Sequence, residues 1–288
     1  MPIAIVTDSS ACLSAEIAAL HRITVVSLTV AIDGEQWRDE AITGREFYDR
    51  LRLSQEAMSA APAPGEFSEA FHGARQSGAD AVLCLTLPSE YSGTYGAAVN
   101  ARELVSREWP DFPVRVVDTR CMAMAHGFCV LAAARAACGG ATLDETVAAA
   151  ESVAKRTHLV GALETTRYLA KSGRVPWIVH WAASLLRIKP VIAASEGRIG
   201  AVGRARTIGS AIEKMLRYLE ERTKPGAVLH VGVMHADAAE GASELAEAVR
   251  KRFSPVELLV TDVTSAMGVH TGPGFLGLAF YWDDGEAG

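Results

Sequence analysis

A few short segments of this 288-residue chain gather the side chains that could do chemistry. Asp8-Ser9-Ser10, Ser89-Glu90-Tyr91-Ser92-Gly93-Thr94-Tyr95 and Asp118-Thr119-Arg120 each follow an apolar run. In open α/β sheets ligands bind beyond the carboxyl ends of strands, so these islands are candidate contacts. Ser92-Gly93-Thr94 stands just before a helical pattern. A hydroxyl beside free backbone N–H groups there suits a carboxylate or a phosphate. The same residues also make a plain Ser N-cap, and Asp8 could equally be a cap or turn residue. Farther along, His270-Thr271-Gly272-Pro273-Gly274 describes a rigid turn presenting one imidazole, or a structural turn with an incidental His. Lys171-Ser172-Gly173-Arg174 fits a helix C-cap with solvated charges, and Arg204-Ala205-Arg206 an exposed strand end. A serine hydrolase or acyltransferase could be assembled from Ser92, His270 and either Asp8 or Asp118, although no spacing requires it. There is no G-x-S-x-G elbow, no phosphate-binding G-x-x-x-x-G-K-[ST] loop, no G-x-G-x-x-G after the first strand and no H-E-x-x-H. His126, His158, His180, His230 and His235 lack ligand-like spacing and read as structural or surface residues.

Composition narrows the classes further. Hydrophobic residues make up 49% and charged residues 22%, ordinary for a packed globular chain and wrong for a disordered or fibrous one. The net charge of −6 and the 7% aromatic content argue against nucleic acid, whose phosphates call for clustered Lys and Arg. Met1-Pro2-Ile3-Ala4-Ile5-Val6-Thr7-Asp8 does not read as a signal peptide. The longest apolar stretch, Phe128 to Ala134, is cut by Arg135, far short of the ~20 residues of a membrane span. Cys12, Cys84, Cys121, Cys129 and Cys138 are odd in number and form no C-x-x-C pair. They read as buried free thiols in a reducing cytoplasm rather than disulfides or zinc ligands, with Cys121 beside Arg120 the candidate for a reactive one.

The elements that must position these islands alternate. Pro2–Thr7 reads as a buried strand, followed by helical character over Leu13–Leu20. Ile23–Ile32 is a second β-rich run, broken at Asp33-Gly34, a hairpin turn signal. Helical patterns follow over Gly44–Gln55 and Gly65–Gln76, separated by the Ser59-Ala60-Ala61-Pro62-Ala63-Pro64 loop. Strands are expected at Asp80–Leu87 and Val114–Asp118, and helices at Gly93–Ser106, Met122–Cys138 and Leu143–Arg156. This alternation argues for a mostly parallel sheet with helices on both faces. After Thr157 the order changes. His158–Leu163 suggests a strand and Thr165–Lys171 a short helix; Arg187–Ala194 and Arg198–Ala205 suggest two strands joined at Ser195-Glu196-Gly197. A helix over Ile208–Arg222 stops before Lys224-Pro225-Gly226. Ala227–His235, Pro255–Asp262 and Phe275–Trp282 read as strands, Ala238–Arg252 as an amphipathic helix, and an acidic tail closes the chain. Adjacent strands imply a mixed or antiparallel sheet here. At about 150 residues per domain the length suggests two, placed at 1–158 and 159–288.

Taken in order, the islands resemble the DegV family of bacterial fatty-acid-binding proteins over nearly the whole chain. The resemblance rests on Ile5-Val6-Thr7-Asp8-Ser9-Ser10, Pro62-Ala63-Pro64-Gly65-Glu66-Phe67, Tyr91-Ser92-Gly93-Thr94-Tyr95, Val117-Asp118-Thr119, Lys171-Ser172-Gly173-Arg174, Ile188-Lys189-Pro190, Arg206-Thr207 and His270-Thr271-Gly272-Pro273-Gly274. It implies a two-domain α/β fold holding a long-chain fatty acid between the domains. It also implies a cytoplasmic protein that does no chemistry alone, uses no cofactor, and presents the acid to a dihydroxyacetone-kinase-like subunit for conversion to an acyl phosphate in phospholipid metabolism. The family's Ser-Gly-Thr hydroxyls map onto Ser92, with Thr94 nearby. Its Thr-Ser-Gln-Pro segment stands here as Ser59-Ala60-Ala61-Pro62. Ser59 keeps a hydroxyl, while Ala60 and Ala61 imply one head-group hydrogen bond fewer and a wider or drier pocket mouth. The family's kinase-facing Arg and His groups map onto Arg174, Arg206 and His270, with Lys-Ser-Gly-Arg in place of the usual Lys-Gly-Gly-Arg. His270 and the hydroxyls of Ser59, Ser92 and Thr94 are then the expected carboxylate contacts. An apolar tunnel explains the composition, because a fatty-acid tail needs burial and little polar chemistry.

Overall fold

A computed structural model describes residues 2–179, 188–224 and 226–283. His180, Arg187, Pro225 and the tail 284–288, all named above, lie outside the described residues.

Three sheets organise the chain. The first is wholly parallel, in the order β2-β1-β6-β7. It is built from β1 (Ile3–Asp8), β2 (Ile23–Val26), β6 (Ala81–Thr86) and β7 (Val114–Asp118). Every residue of β6 is buried, as a strand covered on both faces requires. Helices α3 (Pro64–Gln76) and α4 (Thr94–Glu108) pack on one face, α5 (Met124–Cys138) and α6 (Leu143–Arg156) on the other. The second sheet is a small antiparallel one, β4-β3-β5, made of β3 (Thr29–Ile32), β4 (Glu35–Arg38) and β5 (Ala57–Ala60). The third has six strands in the order β10-β9-β8-β13-β11-β12. Its members are β8 (His158–Ala162), β9 (Lys189–Ser195), β10 (Arg198–Ala205), β11 (Val228–His235), β12 (Glu257–Asp262) and β13 (Leu276–Asp283). All its pairs are antiparallel except β11 with β12. Helices α8 (Ile208–Glu220) and α9 (Ala239–Phe253) cover its outer face. The expected fold class therefore holds, and from His158 onward the strands join the six-stranded sheet.

Helix α5 explains how the layers meet. It is apolar around its whole circumference, and residues Met124 to Leu131 are all buried. A helix with no polar face must be covered on all sides, and α5 lies between the parallel sheet and the six-stranded one, touching β1 and β6 on one side and β8, β11 and β13 on the other. Gly127 permits the close approach: a Cβ there would sit 2.6 Å from the Ala11 carbonyl oxygen. No helix among the described residues is long and apolar enough to cross a membrane.

Four expectations need correction. The run Ile23–Ile32 is two strands in different sheets, parted at Ser27-Leu28, where the Leu28 N–H is drawn off to Ser9 Oγ at 3.1 Å. The Asp33-Gly34 turn is the expected hairpin, with both residues at positive φ, but it leads into polar β4, for which no strand was expected. Ser59 and Ala60 lie in strand β5 rather than in a loop, paired with Val30 and Thr29. His270 and Thr271 form the last turn of a helix, α10 (Ser265–Thr271), which ends at Gly272 with φ 72°. Two further helices, α1 (Ala15–Leu20) and α2 (Gly44–Leu53), lie within the expected helical patterns, and the short α7 (Arg167–Ser172) starts two residues later and ends one residue later than expected.

Candidate functional site

Between the inner face of β8 and β9, the end of β5, the loop after β6, the start of α5 and helix α10 lies a cavity of about 550 Å³. That is within the roughly 300–1,000 Å³ typical of small-ligand pockets. Its walls are chiefly apolar, among them Leu28, Leu87, Leu159, Leu163, Ile192 and Phe275. The polar groups on it are few, and each has a local reason to be there.

His270 is placed by helix α10, and α10 is placed by the other half of the chain. The buried Asp39 carboxylate accepts the Ala266 N–H at 2.7 Å, capping the helix from 227 residues away, and accepts the Ser9 hydroxyl at 2.6 Å. Ser265 donates its hydroxyl to the Ile42 carbonyl. Gly268 lets the helix lie on Phe47 and Tyr48, since a Cβ there would be 2.8 Å from both side chains. The imidazole then shares a 2.7 Å hydrogen bond between its Nε2 and Ser59 Oγ. Its Nδ1 is buried with no partner. Burial, and secondarily the positive charge of Arg174, hold its pKa down at about 4. The ring is neutral at pH 7.

Ser92 comes from the loop between β6 and α4. Its Oγ accepts the Thr94 N–H at 3.2 Å and shares a 2.8 Å hydrogen bond with Thr94 Oγ1. The helix N-cap is Gly93 rather than Ser92; Ser92 makes a local turn ahead of it and lines the cavity, and the buried Thr94 stands behind it rather than on the wall. The loop rests on the end of β5, where a Cβ on Gly93 would sit 3.8 Å from that of Ala61. Ala60 and Ala61 both face the cavity. Arg174 lines it too, after the left-handed Gly173 (φ 68°) that ends α7, and its Nη1 donates to the Ser172 carbonyl at 2.7 Å. Lys171 donates to the Gln55 carbonyl at 3.0 Å, so this segment is a C-cap that also delivers an Arg. The structure brings Ser59, Ser92, Arg174 and His270 to one cavity. Arg206 is exposed at the start of α8 and is not on the cavity wall.

The remaining islands support the walls. Asp8 accepts the backbone N–H groups of Ser10 and Leu87 at 3.0 and 2.9 Å, tying the first 3-10 turn to the mouth loop. Thr7 and Thr119 bracket the buried His126 ring, whose pKa burial lowers. Asp118 accepts the N–H groups of Ser89 and Arg120 at 3.0 and 2.8 Å, and Arg120 donates to the Glu196 carbonyl at the β9–β10 turn. With Asp8 and Asp118 so engaged, with His270 paired to Ser59 and with its Nδ1 facing no carboxylate, the hydrolytic relay through Ser92 is not assembled. Asp39 has no motif around it, and its contacts are all distant in sequence, so sequence reasoning missed it. Cys12, Cys84, Cys121 and Cys129 are buried and Cys138 is exposed. Burial pushes the Cys12 thiol up to about 12, which keeps it inert. Among the described residues no group of three or more His, Cys, Asp and Glu side chains is arranged to hold a metal ion.

Comparison with known proteins adds relatives to this geometry. The family model described as "Uncharacterised protein, DegV family" matches residues 2–283. A DegV domain-containing protein of Streptomyces coelicolor is 39% identical over 279 residues, covering 96% of this chain and 97% of the relative. Among solved structures, a DegV family protein from Thermus thermophilus, described as binding fatty acid, superposes with a TM-score of 0.90 at 28% identity, over 98% of this chain and 100% of that one. DegV of Bacillus subtilis, described as a fatty acid binding protein, does so with a TM-score of 0.86 at 26% identity, over 98% and 100%.

Proposed function

The chain belongs to the DegV family, and from that premise we propose that it binds a long-chain fatty acid and presents the carboxylate to a dihydroxyacetone-kinase-like subunit for phosphorylation. The observation that carries the reading is the largely apolar cavity of about 550 Å³, with Ser59, Ser92, His270 and Arg174 among the polar residues that line it. Burying about 15 methylenes is worth on the order of 12 kcal/mol at ~0.8 kcal/mol each. Association and ordering costs take back a large part of that. The tail therefore supplies the affinity, and the head group needs only a few directed contacts.

Those contacts suit a carboxylate. The Ser92 hydroxyl donates, with Thr94 holding it in place, and the single N–H of the neutral His270 ring donates to Ser59 Oγ, which frees the Ser59 hydroxyl to donate to the carboxylate. Arg174 supplies the cation, and charge-assisted hydrogen bonds are the strong ones. Arg206, exposed outside the cavity, is assigned to the partner kinase or to the added phosphate, together with Arg174 and His270. In this reading the protein is a binding subunit and not an enzyme by itself. It works in the cytoplasm, with no cofactor beyond the bound acid, and the acid lies between units 1–158 and 159–288.

The test is direct. The purified protein is denatured, its organic extract is analysed by mass spectrometry, and delipidated protein is titrated with fatty acid. About one fatty acid per chain is expected. Absence of both co-purified and titratable fatty acid would refute the reading. Adding the kinase subunit and ATP then yields acyl phosphate from the loaded protein if presentation is its role.

A further inference from the structure

One wall of the cavity is the Phe275 ring, and the backbone around it is shaped to receive that ring. Gly161 in β8 and Gly277 in β13 are directly paired across the two strands. A Cβ on Gly161 would lie 2.4 Å from Phe275 Cε2 and 2.7 Å from Cζ. A Cβ on Gly277 would lie 2.8 Å from Phe275 Cε1 and Cζ. The Phe275 ring therefore occupies the space that two cross-strand side chains would fill, and only glycine at both positions admits it. Beyond it lies Met234, whose Cε is 3.0 Å from the position of a Gly277 Cβ. The ring thus separates the cavity from the packed core under α5. It is also held against sideways drift. Ala236 donates to the Phe275 carbonyl at 3.0 Å, and Gly274 donates to the Ala236 carbonyl at 2.7 Å. Four residues separate it from His270.

Resting on the fatty-acid reading above, we propose that Phe275, seated on the Gly161–Gly277 pair, sets the cross-section of the acyl channel and selects straight saturated chains over cis-unsaturated or methyl-branched ones. A bent or branched chain needs lateral room beside its axis. On the β13 side that room is filled by a buried ring 4% exposed. Shortening the side chain opens the glycine floor toward Met234 and leaves the head-group contacts in place.

The test is a competition. Delipidated wild type, F275A and F275L are each equilibrated with equal amounts of stearic, oleic and a methyl-branched C18 acid, and the bound acids are quantified by mass spectrometry. Wild type is expected to enrich stearic acid. F275A should shift the ratio toward the bent and branched acids by about tenfold, the low end of what the fit of a hydrophobic pocket discriminates. F275L is closer in volume to phenylalanine. It should shift the ratio in the same direction by a smaller factor and serves if the alanine variant does not fold. Wild type that binds fatty acid without favouring the straight chain, or variants that load with unchanged ratios, would overturn the role of Phe275 alone. Wild type that loads no fatty acid would overturn the reading of the cavity itself.

Discussion

The neutral His270 gives the sharpest prediction. In the folded, ligand-free chain its pKa is held at about 4 by burial and by Arg174, whereas in the unfolded chain it returns to about 6.5. As pH falls below 6.5 the unfolded state takes up a proton that the folded state refuses, so stability falls with pH. The contribution is fully present above pH 6.5 and is lost progressively down to pH 4. At roughly 1.4 kcal/mol per pH unit the loss approaches 3 kcal/mol. His126 and His158, also held low by burial, act in the same direction. The measurement is therefore a difference: urea unfolding of delipidated wild type and His270→Gln at several pH values from 4 to 7. Wild type should lose up to about 3 kcal/mol more than the variant across that window. A bound carboxylate beside the ring favours the imidazolium, so loading with fatty acid should flatten the wild-type curve. A wild-type-minus-variant difference that stays constant with pH, or an NMR titration of His270 near pH 6.5, would refute the argument.

Other perturbations test the remaining parts. Ser92→Ala should weaken fatty-acid binding by ~1–3 kcal/mol, the cost of an unmade buried hydrogen bond; unchanged affinity by calorimetry removes Ser92 from the head-group role. Arg206→Ala should leave fatty-acid binding intact and depress acyl-phosphate formation with the kinase subunit, and equal loss in both assays contradicts that division. Asp39→Asn replaces one acceptor oxygen with a donor facing either Ala266 N–H or the Ser9 hydroxyl, and should cost about 1–3 kcal/mol in urea unfolding; an unaltered midpoint means α10 is held by its other contacts alone.

What could be read from the sequence was what is local. Leu143–Arg156 was expected at its observed bounds, and the capping box that starts it, Thr142 with Glu145, is local, lying within four residues. The Val114–Asp118 strand and the Glu196-Gly197 hairpin turn were likewise visible in short runs. Strand β5 was hidden because Ala57–Ala60 is small, has weak β-propensity and runs into Pro62; its partner β3 makes it a strand. Helix α10 was hidden because seven residues with a central Gly268 would not hold alone, and the Asp39 cap comes from the far half of the chain. The site divides the same way. Ser92, Arg174 and His270 stand in recognisable segments, whereas the Ser59–His270 hydrogen bond spans 211 residues and no spacing rule predicts it.

The order of strands in the six-stranded sheet has a consequence for synthesis. Its interior strand β13, between β8 and β11, is made of residues 276–283, after all its neighbours. As the ribosome delivers the chain, β8 emerges and then waits for more than a hundred residues, roughly ten seconds at ~5–20 residues per second, before its partner arrives. Until then the side of α5 and the edge of β8 that β13 will cover stay bare, joined after residue 235 by the edge of β11. Such edges and faces invite pairing with other nascent chains. A chain stalled or cleaved before residue 276 should therefore aggregate rather than persist as a folded amino-terminal half, and its yield in cells should depend on chaperones that shield that helix until the last strand inserts.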